Sequence, residues 1–511
     1  MFAPMRKPWK LYKKLHRWPG LIIAFFLLYY AVTGIILNHR ELFSGIDIRR
    51  DILPQNYNYE DWNNAALKGS LTLNKDSILL YGNIGIWLTD SSFLDYTPFY
   101  SGFPHGVDKR KVFDLHLSRD GNLYAAAFSG IYAYNRENKI WQKLNSDKKS
   151  ERFTGLECVS DTLYALSRSY LYTGTSDGIH TKLTRTELQT PTDYEKKVTL
   201  FQTIWQIHSG EIFGLPGKIY VDLLGIITLF LSVTGIIYFF SPAWIRSRFK
   251  RKKSTAAISR ASSWSLKWHN SVGSWTFILL IILFFTGMFL RPPLLIAIAN
   301  ANLPPLKYSH LDQPNPWYDK LRDIIYDQER GILLLSTSEG MYFTDRKELV
   351  PERFAIQPPV SIMGINVFKK TGDDSYLIGS FSGIFLWNPE EESIIDLYTG
   401  QPYSPAAYGR PVGEMKTTGV IADYTGRLYL ADYEYGMLPL QHSLKFPSMP
   451  ENILSESGMS LWSVCLEIHT GRFFQNITGD FYILIVPLAG LTGIIIVISG
   501  YILLRRKHRG V

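Results

Sequence analysis

Cysteine is nearly missing from this 511-residue chain: Cys158 and Cys465 are the only two. That excludes a disulfide scaffold and a cysteine-rich zinc or iron–sulfur site. Two thiols allow one bridge, but nothing in the sequence requires it, and we expect them to stay apart. No G-x-G-x-x-G opens a cytoplasmic helix, and the parts expected in the cytoplasm are too short for a flavin or nicotinamide fold, so any electron donor is expected to be a separate molecule. Acid is missing from three places. Residues 1–17 carry six basic side chains and no acidic one, residues 242–270 eight and none, and residues 504–511 four and none. The remaining 36 basic residues stand against all 45 acidic ones, so the formal net charge of +9 conceals an acidic remainder.

The basic stretches border four apolar blocks, Trp18–Leu37, Ile219–Phe240, Val272–Ala299 and Phe481–Leu504. Each offers about 20 or more largely uncharged residues, the length a helix needs to cross a bilayer. Buried helices of a soluble core rarely run so long without charge. A cleaved signal peptide is the other reading of the first block, but it is long for one and lacks an A-x-A site. Basic loops stay cytoplasmic. Both termini and the middle connection are therefore expected inside, in a bacterial inner membrane. The run Lys250-Arg251-Lys252-Lys253 is explained by this topology and by anionic lipid rather than by nucleic acid.

The expected order is a first span within 1–40, an outer insert at 41–215 and a second span at 216–241. A basic loop at 242–269, a third span at 270–299, a second insert at 300–478 and a fourth span with its tail at 479–511 follow. The chain is thus two spans and a large outer insert, written twice, giving a four-helix bundle from a 2+2 duplication.

The inserts read as β structure. Asp76 to Trp87 (DSILLYGNIGIW) and Asp120 to Tyr132 (DGNLYAAAFSGIY) share a turn, a strand, a Gly-containing turn and a strand ending in an aromatic. Further copies begin near Asp161, Arg330, Asp374 and Thr425. Spacings of about 40–50 residues suit propeller blades. We expect about six blades, three from each insert, in one shared propeller; two independent β-rich domains are the alternative. No repeat carries a recurring His, Cys or acidic cluster, so the β region is expected to be a platform rather than a redox centre.

Histidine repeats where the repeat of the spans would put it. His16 and His269 each precede a glycine by four residues at the start of an odd-numbered span. Each is followed, at the same interval, by a Thr-Gly pair: Thr33-Gly34 and Thr286-Gly287. His208 and His469 each sit in a His-Ser/Thr-Gly triplet before an even-numbered span, and those spans carry Thr234-Gly235 and Thr492-Gly493. A twofold arrangement of the halves would set His16 opposite His269 and His208 opposite His469. Two opposed imidazoles without thiolate or carboxylate suit the axial positions of b-type haem better than tetrahedral zinc. Glycine lets a flat macrocycle or another backbone approach. Gly34 and Gly287 are expected beside an outer haem, and Gly235 and Gly493 beside an inner one. Histidines as headgroup-level polar residues, and Thr-Gly pairs as packing positions, are the plain alternative. His39 breaks the symmetry and is a candidate spare outer ligand or a substrate-side group. Asp222 serves either proton movement or simple interface placement.

At these residues the chain resembles the PepSY-associated transmembrane family, whose members include iron-regulated membrane proteins and ferric-siderophore reductases. The resemblance rests on Leu15-His16-Arg17-Trp18-Pro19-Gly20 leading into Thr33-Gly34, and on His208 and His469 ahead of later spans. It implies haem b, two per chain, at His16, His269, His208 and His469, and reduction of a ferric siderophore or other ferric complex. Electrons would come from a separate cytoplasmic reductase or a quinol. The β-repeat inserts depart from the family's small outer modules. The competing expectation is a non-enzymatic, membrane-anchored propeller that docks a partner or senses for an uptake or secretion system.

Overall fold

The computed structural model describes residues 8–144, 151–192, 194–299, 301–361, 364–372, 374–404 and 413–508. Arg6, Lys7 and Arg509, used above for orientation, lie outside the described residues. The chain divides into two compact units. One comprises residues 1–43, 195–313 and 462–511, the other 44–194 and 314–461.

The first unit is helical. Its long helices are α1 (Pro8–Asn38), α3 (Gly214–Lys250), α4 (Ala256–Met288) and α6 (Tyr482–His508). Two shorter helices, α2 (Leu200–Ser209) and α5 (Leu461–His469), precede α3 and α6. Each long helix packs on two others: α1 on α3 and α6, and α4 on the same two. Large side chains such as Ile22, Phe25, Ile226, Ile278 and Leu488 point outward and are exposed, the inverse of a soluble bundle and the pattern of helices that bury themselves in lipid. Four stretches are long and apolar enough to cross a membrane: Lys10–Asn38, Glu211–Lys250, Ala256–Met288 and Arg472–Arg505.

The third of these differs from the expected 270–299. Helix α4 starts at Ala256 and stops at Met288. Beyond it come Pro292 and Pro293, which cannot continue the main-chain ladder. The sequence block ran on because Leu294–Ile298 is apolar too, but that segment is a separate short helix. The basic connection also shortens to residues 251–255, because α3 and α4 extend into it. Likewise α2, placed with the first insert by sequence, belongs to the helical unit. It starts on Thr199, whose hydroxyl accepts from Gln202 N, and ends at Gly210, φ 77°. A Cβ on Gly210 would lie 2.1 Å from the carbonyl oxygen of Gly217. Helix α5 ends in the same way at Gly471, φ 79°.

The second unit is β-rich. Its inner strands are β1 (Leu67–Asn74), β2 (Val112–Leu117), β3 (Phe153–Val159), β4 (Leu321–Asp327), β5 (Ile365–Lys370) and β6 (Thr417–Ala422). Each opens an antiparallel meander of three to five strands. The six repeats read from sequence fall on the hairpins that follow these strands. The second and third strands join by two-residue turns in four meanders, pairing Gly82 with Gly85, Ala127 with Gly130, Thr337 with Gly340 and Ser380 with Gly383. The last glycine of each has φ between 90° and 141°, which side chains other than hydrogen resist. Each inner strand packs against the next in chain order, and β6 returns to β1, pairing in parallel at Val420 and Gly69. Both inserts therefore build one unit rather than two independent domains. Trp62, Trp87, Trp141, Trp387, Tyr124 and Tyr376 are fully buried in it, so the repeat aromatics are core.

Candidate functional site: two facing histidine pairs

The four repeated histidines meet in two pairs inside the helical unit. The ring centres of His16 and His269 are 6.2 Å apart, and those of His208 and His469 6.3 Å. His16 lies on α1 and His269 on α4, both within the long helices rather than at their starts. His208 and His469 occupy the last turns of α2 and α5.

Each ring is seated against a neighbouring helix in the same way. His269 Nδ1 donates to Leu231 O at 3.1 Å, and Gly235 follows four residues later. His208 Nδ1 donates to Leu283 O at 3.1 Å, four residues before Gly287. His16 Nδ1 donates to Ile496 O at 3.0 Å, four residues before Gly500. His469 is bonded to the main chain of Tyr30, four residues before Gly34. Three rings also contact the hydroxyl next to that glycine: Thr33 at 2.9 Å, Thr234 at 3.1 Å and Thr286 at 3.2 Å. Those hydroxyls donate to their own helix, so they accept from Nδ1. With the proton held on Nδ1, Nε2 keeps its lone pair for a metal. Burial pushes the His208 imidazole down to about 4, and burial with the neighbouring His208 pushes His469 to about 3, so both are neutral at physiological pH.

The glycines make these seats. A Cβ would come 3.3 Å from His469 at Gly34, 3.3 Å from His269 at Gly235, 2.8 Å from His208 at Gly287 and 2.7 Å from His16 at Gly500. Gly493 lines the cavity at the His16–His269 pair but seats no ring. Its added Cβ would meet Phe284, 2.7 Å away, and not a histidine. The fourth seat is Ser499-Gly500, two helical turns further along α6. Such a shift keeps the helix face but moves the contact along the axis, and a search for Thr-Gly alone misses it. The expectation for His39 as a ligand is corrected. Its Nε2 lies 2.7 Å from Asp222 Oδ2, and Asn38 Nδ2 donates to Asp222 Oδ1 at 2.9 Å. It faces a carboxylate and joins neither pair. Cys158 and Cys465 are both free.

Does iron porphyrin fit these residues? A metal holds an imidazole nitrogen at about 2.0–2.1 Å, with the ring centre about 1.1 Å behind it, so two imidazoles on opposite sides of one metal place their centres roughly 6.3 Å apart. The observed separations match. A cavity of about 860 Å³ opens at the His16–His269 pair, lined by small Gly20, Gly273 and Gly493 and by basic Arg17 and Arg246. Around the other pair, Tyr30 lies edge-on to His469 at 5.3 Å. The Nε atoms of Arg291 and Arg472 have no hydrogen-bond partner among the described residues. Donors of this kind are what a carboxylate-bearing macrocycle needs. Gly34, which touches the second pair, lies on the same helix as His16 but about five turns away. The two pairs are therefore separated by roughly 27 Å along the axis of α1. No cluster of three or more His, Cys, Asp or Glu that could hold a bare metal ion occurs among the described residues.

These features define a multi-pass membrane protein with four candidate spans and a duplicated helical unit. The chain belongs to the PepSY-associated TM region family, whose model matches it twice, at residues 2–242 and 242–507. No curated protein matches the chain. Among solved structures it is similar to the extracellular domains of two putative hybrid two-component systems of B. thetaiotaomicron. For BT4673 the identity is 10% and the TM-score 0.34, over 76% of this chain and 40% of that one. For BT3049 they are 10% and 0.33, over 76% and 44%. PorZ, described as an essential surface component of the type-IX secretion system of Porphyromonas gingivalis, gives 12% and 0.30, over 75% and 32%. The chain spans less than half the length of each.

Proposed function

We propose that this protein is a di-haem b electron-transfer protein of the bacterial inner membrane that reduces ferric siderophores or other ferric complexes on the periplasmic side. The observation that carries the proposal is the pair of 6.2 and 6.3 Å histidine spacings, each ring anchored through Nδ1. His16 and His269 would hold one haem and His208 and His469 the other. Bound haem supplies reversible one-electron transfer.

The chain's own residues do the rest. The carbonyls of Ile496, Leu231, Leu283 and Tyr30 keep the ring protons away from the pair gap and fix ring orientation. Gly34, Gly235, Gly287 and Gly500 let each ring press onto a neighbouring helix. Leu280, Phe284 and Val497 line the cavity with apolar surface that keeps water out. The basic stretches put the His16 end of the bundle at the cytoplasm, where a separate reductase or a quinol delivers electrons. Each electron given to a ferric chelate produces ferrous iron, which hard oxygen donors hold far less tightly. We read the β-rich unit as a six-bladed propeller on the periplasmic side; the succession of inner strands from β1 to β6 and back to β1 supports this.

The test is an absorption spectrum of full-length protein purified from haem-replete cells. Two low-spin haems per chain are expected, with His16→Ala and His208→Ala each losing one. Dithionite-reduced protein should be reoxidised by ferric siderophores. A folded, colourless protein would overturn the reading in favour of an anchored docking subunit. Oxidation by no member of a broad ferric panel would remove the iron assignment alone.

A further inference from the structure

The six inner strands share an irregularity. Each is bulged near its start, so one residue is skipped in the pairing with its neighbour. The skipped residues are Lys68, Phe113, Thr154, Arg322, Asn366 and Thr418. A bulge re-aims a side chain that a regular ladder would hold on one face. All six skipped residues line a single cavity of about 190 Å³ in the β-rich unit. One residue from each repeat therefore converges on one point, although no repeat carries a recurring functional side chain in its sequence.

The chemistry at that point is cationic. Lys68, Arg152, Arg168 and Arg322 line the cavity, and no Asp or Glu does. Arg168 is occupied by Asp319, with bonds of 2.6 and 3.0 Å. Arg322 is not neutralised in this way. Its Nη1 donates to the carbonyls of Asp319 and Leu321 at 2.8 and 2.9 Å, and its buried Nε has no hydrogen-bond partner among the described residues. Lys68 forms no ion pair among the described residues; its ammonium lies 5.4 Å from the Phe113 ring, which Arg152 also covers at 4.3 Å. An aromatic ring orients the Lys68 ammonium without cancelling its charge. The acids whose charge reaches Lys68 are Asp323 and Asp114, each one residue beyond a bulge. Burial, with repulsion from Asp114, pushes Asp323 up to about 8, and burial pushes Asp114 up to about 6, so near neutral pH Asp114 offsets part of the charge of Lys68 and Asp323 little of it. A buried guanidinium or ammonium whose charge is only partly offset is costly unless a ligand completes it.

We propose that this cavity binds a small oxyanion, the carboxylate or phosphate group of a periplasmic solute, with Arg322 and Lys68 as its main contacts. Guanidinium offers paired donors that match either anion, and ammonium adds a point charge. The space equals about six water molecules at roughly 30 Å³ each, enough for inorganic phosphate or a small polycarboxylate. The proposal stands whether or not the histidine pairs hold haem.

The test is isothermal titration calorimetry of the full-length protein in detergent and chloride buffer, with citrate and inorganic phosphate as separate probes. Saturable binding of either, at about one site per chain and weakening as salt rises, is expected. Citrate alone would assign a carboxylate ligand, phosphate alone a phosphoryl ligand. Arg322→Gln and Lys68→Gln should each weaken binding at least about tenfold. Near-ultraviolet circular dichroism of each variant reports whether the Trp-rich core is intact, and Arg322→Lys, which keeps the charge, should recover part of the loss. No saturable heat from either probe with the wild type would overturn the proposal. So would unchanged affinity in both folded Gln variants.

Discussion

His16 rests directly on Gly500: a single added carbon on that glycine would stand 2.7 Å from the imidazole Cε1, while Nδ1 reaches the Ile496 carbonyl one turn earlier at 3.0 Å. The glycine and the carbonyl together set where the ring points. The other three histidines repeat this arrangement on Gly34, Gly235 and Gly287.

Gly500→Ala should displace the His16 ring and lower the haem content of purified protein from two per chain towards one. Overpacking of this kind costs roughly 1–3 kcal/mol. Gly493→Ala, which lines the same cavity but meets Phe284 and no histidine, should lose less haem than Gly500→Ala. Pyridine haemochrome quantification of the two variants checks this. Equal loss in both would show that α6 as a whole, and not the Gly500 seat, matters.

Thr234→Val and Thr33→Val remove hydroxyls that accept from His269 and His469 Nδ1 while leaving the carbonyl bonds in place. Such supporting bonds are worth about tenfold or more in metal-site affinity. Each variant should retain its haem at purification but release it to apomyoglobin about ten times faster than the wild type.

His39→Ala should leave both haems in place, because His39 Nε2 is engaged by Asp222 at 2.7 Å. Loss of a haem in this variant would restore His39 as a ligand.

Asp323 makes the β-rich unit sensitive to pH. Its folded value, about 8, lies above the unfolded value of about 3.9. Between these the folded state keeps a proton that the unfolded chain has lost. The stability it contributes is complete below the unfolded value and is lost as pH rises through the folded one. The melting temperature of the wild type, followed by tryptophan fluorescence from pH 5 to 9, should fall relative to Asp323→Asn as pH rises. Asp114, Glu157, Lys68 and Lys369 surround the same site in both proteins, and Asp114 and Lys68 titrate together with Asp323, so the difference reports the proton that Asp323 adds to this cluster. A constant gap across the range would refute this.

Much was legible in the sequence because it depends on local pattern. Apolar runs of about 20 residues and basic flanks mark four spans without knowledge of their neighbours. The hairpin repeats at Asp76, Asp120, Asp161, Arg330, Asp374 and Thr425 are visible because tight turns demand particular residues, most plainly in the four that turn in two residues. The halves of the duplication likewise show which histidines correspond. The Ser499-Gly500 seat was hidden because α6 is slid two turns relative to its counterpart, and a dipeptide search cannot register an axial shift. The cation-lined cavity was hidden more deeply. Its six converging residues are Lys, Phe, Thr, Arg, Asn and Thr, which share no chemistry; what they share is a skipped place in a ladder.

The sequence by itself thus determined the spans, the duplication and the identity of the paired histidines, since hydrophobic length, charge asymmetry and repetition are properties of the chain read in order. Only the tertiary structure decided which glycine meets which ring, that His39 belongs to Asp222, and that six dissimilar residues converge on one cavity. Those relations depend on helix packing and strand register, which set distances between residues hundreds of positions apart.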